Sequence, residues 1–306
     1  MPYSFSFAVG GIRFEVLSDD ALRLPDPWAS YEPFRADSAA SKADVVIRLR
    51  VSLGTPPDVE NMEAIFKSES WNLFRSGSAW WLALAPNPRT NRPAWAARLV
   101  NDFTAGEVLC DPQTLNDPAE RGTMFNPVLH RLDQLIVMYV LAPRNGGILH
   151  GTGVAAGDRG VVFAGRSGSG KTTLARLLGE VAQAQGWTLL SDDRVIVREA
   201  AAESWRVFGT PWAGEAQVAS ARFAVLRALA FLRHAPSDRM VPLSAGEAAA
   251  ELLPVLSVAW YDRRHVERMS DFCHRLVSDV PAWRFEFAPT SNVWKLAREM
   301  FQSLEK

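Results

Sequence analysis

Val161-Val162-Phe163-Ala164-Gly165-Arg166-Ser167-Gly168-Ser169-Gly170-Lys171-Thr172-Thr173-Leu174 decides how the rest of the chain is read. Gly165 to Thr172 matches G-x-x-x-x-G-K-[ST] with no substitution. The apolar run before it suits a buried strand, and Leu174, Leu177 and Leu178 after it share one face of a helix. Strand, glycine-rich loop and helix in that order predict a phosphate-binding P-loop. Glycines let the backbone turn inward and aim N–H groups at phosphate oxygens, and the positive end of the following helix adds to that field. Gly165 through Thr173 is therefore the candidate nucleotide-binding segment. Within it, Lys171 supplies a mobile charge for the β- and γ-phosphates and Thr172 a hydroxyl for Mg2+. Arg166 either touches phosphate or the acidic pair described next, or faces solvent at a variable position of the loop.

Downstream, Asp192 and Asp193 follow the apolar Leu189-Leu190. A strand there carries both carboxylates to the sheet edge beside the loop, where one can serve a metal and the other accept a proton. Their mutual repulsion raises the pKa of one unless a cation offsets it. A solvated Asp-Asp-Arg turn is the plainer alternative. Upstream, His150 lies in Leu149-His150-Gly151-Thr152-Gly153, on a strand expected to run near the loop.

Around this centre the second half alternates strands and helices, as an α/β domain does. Strands are expected at Ile148–Val154, Gly160–Ala164, Trp187–Leu190, Arg194–Arg198 and Trp205–Phe208. Residues 219–306 read as mainly helical, with a late strand over Val280–Phe287. The basic run Arg263, Arg264, His265 and Arg268 reads as a solvated helix face. The first half is β-rich: a hairpin over Ser4–Val16 around Gly10-Gly11, then strands near Ala43–Leu49, Trp80–Leu84 and Ala94–Leu99. Breakers such as Gly54-Thr55-Pro56-Pro57 and Pro86-Asn87-Pro88 separate them. A helix from about Asn126 ends at Pro143 and Gly146-Gly147, so the expected division is 1–141 and 142–306.

Bulk properties narrow the class. Of 306 residues, 48% are apolar and 22% charged, enough for a packed core without staples. The formal net charge of -1 gives no electrostatic reason to expect nucleic acid as a partner. Two distant cysteines, Cys110 and Cys273, read as idle thiols in a reducing compartment. The start of the chain reads as a strand, not a signal peptide, and the most apolar stretch is too short to span a bilayer. These features lead to the expectation of a cytoplasmic protein without a membrane partner.

His150-Gly151, the P-loop and Asp192-Asp193-Arg194-Val195, in this order, resemble the HPr kinase/phosphorylase family over about residues 149–197. The resemblance implies an α/β P-loop kinase domain of the HPr kinase type, preceded here by a β-rich α+β N-terminal domain. It also implies ATP and Mg2+ as cofactors and transfer of phosphoryl to a hydroxyl, with serine foremost. By the same resemblance Asp192 is the base and His150 orients it, with Arg194 as an auxiliary. The family's magnesium-binding glutamate segment is not recognisable. In its place stands Phe208-Gly209-Thr210-Pro211-Trp212-Ala213-Gly214-Glu215, which looks like the HPr-kinase-like subgroup encoded with peptide-modification enzymes, as does Arg227–Leu232. Glu215 thereby becomes a candidate metal residue beside Thr172 and Asp193, or a plain loop carboxylate. The expected acceptor is a peptide, protein or small molecule, and the family admits a homo-oligomer. A non-catalytic nucleotide-binding partner, or a nucleotide hydrolase, remains the alternative.

Overall fold

The computed structural model describes residues 4–18, 29–36, 43–59, 62–84, 93–112, 126–200, 204–288 and 292–304. The breaker Pro86-Asn87-Pro88 lies outside them. The chain divides into two compact units, Met1–Val140 and Leu141–Lys306.

The first unit holds one eight-stranded sheet: β1 (Ser4–Val9), β2 (Ile12–Ser18), β3 (Val45–Leu53), β4 (Glu63–Lys67), β5 (Trp71–Ser76), β6 (Ala79–Leu84), β7 (Trp95–Leu99) and β8 (Ala105–Cys110). Their spatial order is β1-β2-β3-β8-β7-β6-β5-β4. Strands β2, β3 and β8 run parallel, and the other neighbours are antiparallel. Period-2 burial of Ile12, Phe14 and Val16 on β2 and of Val45, Ile47, Leu49 and Val51 on β3 gives the sheet one dry face. A wide helical turn, Val128–Leu132, leads into α1 (Asp133–Leu141). The α1 carboxylate Asp133 is fully buried and accepts a 2.7 Å hydrogen bond from the Tyr31 hydroxyl. A buried carboxylate needs such donors.

The second unit contains β9 (Gly146–Ala156), β10 (Arg159–Ala164), α2 (Lys171–Gln185), β11 (Trp187–Ser191), β12 (Arg194–Ala200), β13 (Ser204–Phe208), β14 (Phe223–His234), β15 (Arg239–Leu243), α3 (Ala245–Leu252), α4 (Arg263–Asp279), β16 (Ala282–Phe287) and α5 (Val293–Ser303). Hydrogen bonds close β9, β12, β13, β14 and β10 into a ring. The sheet continues from β14 through β16 to β15, and β11 pairs with β9. Helices α3 and α4 cover one apolar layer, and α2 and α5 cover the other. Along β10, Val162 and Ala164 enter the first layer while Val161 and Phe163 enter the second.

Phe223–His234 corrects the expectation that the chain beyond residue 219 is mainly helical. Its alanines and leucines favour helix locally, yet Leu229 and Phe231 fill one layer and Ala228, Ala230 and Leu232 the other. A strand buried on both faces reads as a continuous apolar run, which periodicity alone does not separate from a buried helix. Parallel pairing with β10 and β16 decided the outcome. In the basic run at the start of α4, Arg263, Arg264 and Arg268 are exposed, as a solvated helix face should be, and only His265 departs from that expectation. His265 is 2% exposed, and its Nδ1 accepts the Ala259 N–H at 3.3 Å, so it is a core residue that pins the preceding turn.

Both cysteines are buried and free, and burial pushes the Cys110 thiol up to about 12. No helix among the described residues is long and apolar enough to cross a membrane.

Candidate functional site

Strands β10, β14 and β16 run parallel, so their carboxyl ends meet at one edge of the sheet. In open α/β sheets this edge is where ligands bind. The loop Gly165–Gly170 leaves β10 there and enters α2 at Lys171. Gly170 caps α2 in the left-handed region, with φ 93°. A Cβ at Gly170 would stand 2.8 Å from Phe287 Cζ and 2.9 Å from His234 Cε1, so both its conformation and its surroundings require glycine.

The Lys171 ammonium folds back over the loop. Its Nζ donates to the carbonyl oxygens of Gly165 and Arg166, each at 2.8 Å. Lysine 171 is 7% exposed, and burial pushes its pKa below the ordinary lysine value; Asp193 opposes this shift and Arg194 adds to it. An ammonium held in this way is under-solvated and is suited to an anion brought against the loop. The Ser169 hydroxyl is likewise buried without a hydrogen-bond partner. Arg166 and Thr173 are exposed, and Thr172 is half-buried in the first turn of α2.

Beside the loop, β9 ties the pieces together. The Gly165 N–H donates to His150 O at 3.2 Å, and the Gly151 N–H donates to Asp193 O at 2.9 Å. His150 pairs with Arg194 in the β9–β12 register. Across this junction His150 Nε2 lies 2.6 Å from Asp193 Oδ1, and Arg194 Nε lies 3.5 Å from Asp193 Oδ2. Burial opposes ionisation of Asp193. The hydrogen bond and charge of His150, with Arg194 and Lys171, more than offset it and hold the carboxyl below its ordinary value. Arg194 in turn donates to the Ser257 hydroxyl at 3.3 Å.

Asp192 does something else. It is 2% exposed, and its carboxylate accepts the backbone N–H groups of Gly214, Ala216 and Val218 at 2.9, 2.7 and 3.2 Å. A buried carboxylate that accepts three backbone N–H groups from one loop organises that loop. The expectation that His150 orients Asp192 is corrected: His150 is paired with Asp193. The two aspartates form the bend between β11 and β12, where Asp192 turns to the 214–218 loop and Asp193 turns to β9. Gly214 fits this arrangement, since a Cβ there would stand 2.9 Å from both Asp192 Oδ2 and Asp193 Cβ.

Glu215 is not drawn into the site. Its side chain is 80% exposed and stands 3.9 Å from Arg176 of α2. Among the described residues no group of three or more His, Cys, Asp or Glu is placed to hold a metal ion. Thr172 and Asp193 remain as the residues that could hold Mg2+, in the sparse manner of an ion that keeps waters and takes phosphate oxygens.

On its other flank the loop borders a cavity of about 540 Å3. Its far wall brings Arg233 and His234 of β14, Glu247 and Glu251 of α3 and Arg284 of β16 to the loop. Arg233 and His234 give no local signal, because the alanine- and leucine-rich run that carries them reads as helix in the sequence. Only the position of Arg284 inside the expected late strand offered a signal.

No curated protein matches the chain. One family model does match, over residues 108–295, which take in the loop, the His150–Asp193 pair and the cavity wall. That match spans more than half of the chain, which therefore belongs to the family of the SynChlorMet cassette protein ScmC.

Proposed function

We propose that the second unit is a P-loop kinase domain of the HPr kinase type, which binds ATP with Mg2+ at Gly165–Thr173 and transfers the γ-phosphoryl group to a hydroxyl, most readily a serine, of a peptide, protein or small molecule. The observation that carries this reading is the His150–Asp193 pair. An ionised carboxylate is aligned by a histidine at 2.6 Å within electrostatic range of the loop lysine. The association of the cassette family with peptide modification, suggested by the Gly209–Glu215 segment, accords with a peptide acceptor.

In this reading the acceptor O–H is oriented by Asp193. As the acceptor oxygen bonds to the γ-phosphorus, the bond from that phosphorus to the β–γ bridging oxygen breaks. The hydroxyl proton passes to Asp193, and ADP leaves. Phosphoryl transfer goes through a loose transition state, so a carboxylate of low pKa suffices, because the proton moves late. Lys171 and the loop N–H groups stabilise the charge on the moving phosphoryl group, and His150 keeps Asp193 in place. Bound Mg2+ would neutralise phosphate charge beside the Thr172 hydroxyl and Asp193. Asp192 builds the 214–218 loop and takes no proton.

The test incubates the full chain with Mg2+, γ-labelled ATP and serine-containing acceptors, then locates the label. Transfer to a hydroxyl is expected. Release of free phosphate alone would make the protein a hydrolase, and neither outcome would leave a nucleotide-binding partner without catalysis.

A further inference from the structure

We infer that the cavity flanking the loop receives the part of the acceptor next to its hydroxyl and selects acceptors bearing a carboxylate there, received by Arg284. This inference rests on the phosphotransfer reading of the same loop.

Position comes first. The Lys171 ammonium sits at the Gly165 and Arg166 carbonyls. In a P-loop the lysine reaches the β- and γ-phosphates. The γ end of a bound nucleotide therefore lies over Gly165 and Arg166. The cavity is bounded on the loop side by Ala164–Ser169 and by no residue of α2, so it opens on that end. Asp193 and His150 do not line it, so the acceptor hydroxyl meets Asp193 at the γ end while the neighbouring part of the acceptor enters the cavity.

Chemistry comes second. The carboxylates of the cavity wall are already engaged. Glu247 accepts the Ser244 N–H at 2.9 Å and its hydroxyl at 2.6 Å, which caps α3, and Glu251 accepts Arg233 at 2.8 Å. Beside them stands an unmet donor. Arg284 Nε is buried without a hydrogen-bond partner and stands 3.9 Å from Glu251. Glu247 and Glu286 attract Arg284 electrostatically, yet Glu286 is hydrogen-bonded by Arg239. Nearby carboxylates therefore hold the guanidinium in position without saturating it. Arg166 on the loop is exposed and adds a second cation. A buried guanidinium N–H without a hydrogen bond, with the Arg166 cation on the loop, fits an anionic ligand. With one anion site at the loop for phosphate, the second suits a carboxylate, the planar group a guanidinium fork matches.

The experiment measures equilibrium binding of fixed-serine peptides to the full chain, with Mg2+ and a non-hydrolysable ATP analogue present. Peptides are compared in pairs that differ only by Glu or Gln at one position near the serine. We expect the Glu member to bind roughly tenfold more tightly at one or more positions. Arg284→Met should abolish that preference without changing affinity for the ATP analogue alone, and Arg284→Lys should keep part of it. Equal binding of Glu and Gln members, no peptide binding, or a preference that survives in Arg284→Met would overturn the inference. So would weakened nucleotide binding in Arg284→Met, which would assign the arginine to phosphate. Binding does not require transfer, so a Glu preference without phosphorylation of any peptide would overturn the kinase reading and leave the carboxylate site standing.

Discussion

His150 Nε2 lies 2.6 Å from Asp193 Oδ1, while the carboxylate of Asp192, one residue earlier, faces three backbone N–H groups of the 214–218 loop. Two adjacent aspartates thus have opposite tasks, one poised beside the loop lysine and the other buried as a loop organiser. That division can be checked by separating activity from stability.

Asp193→Asn should abolish phosphoryl transfer while changing unfolding free energy by less than about 1 kcal/mol, because its pair with His150 is partly exposed. Asp192→Ala should cost about 2–4 kcal/mol by stranding three buried donors. Chemical denaturation of both variants, set beside a transfer assay, decides the matter. The reverse pattern would return the base role to Asp192.

Lys171→Met should weaken nucleotide binding at least tenfold, since a charge-assisted contact to phosphate is removed. Isothermal titration with an ATP analogue measures this. Unchanged affinity would rule out the loop as the nucleotide site.

The pH profile should carry the mark of His150. Asp193 has a depressed pKa in the folded chain, so its ionised form persists well into the acid range, and the acid limb of transfer lies below the ordinary carboxylate value. The stability it contributes is present above the unfolded carboxylate pKa, near 4, and is lost as pH falls through the folded value. His150→Ala removes the largest lowering influences on Asp193, which should move the acid limb upward. A rate profile unshifted in that variant would contradict the pairing.

Gly170→Ala should lower stability by about 1–3 kcal/mol and cripple nucleotide binding, because φ is 93° and a Cβ would press on Phe287. Thermal unfolding with and without nucleotide tests both effects.

Glu215→Gln should leave the Mg2+ dependence of transfer unchanged within about twofold, since the side chain is 80% exposed and stands beside Arg176. A large rise in the Mg2+ requirement would place this carboxylate at the metal after all.

Much of the site is legible in the sequence. Gly165–Thr172 is a local device: its glycines, lysine and following apolar face act within a dozen residues, so spacing alone predicts strand, loop and helix. The hairpin at Gly10-Gly11 is local in the same sense, and β1 and β2 pair around it. The strands on either side of His150 and Asp193 were legible because their apolar runs are short and bounded by turns.

Tertiary structure alone decided which aspartate meets His150, because the answer depends on how β9 and β12 register forty residues apart. It also decided that Phe223–His234 is a strand. A run of alanine and leucine satisfies either a buried helix or a buried strand until neighbours on both sides supply the hydrogen bonds. The cavity wall of Arg233, Glu251 and Arg284 follows from that same pairing. Local chemistry is carried by adjacent residues and can be read along the chain, whereas long-range pairing is set by which buried backbone groups find partners, and spacing does not encode that.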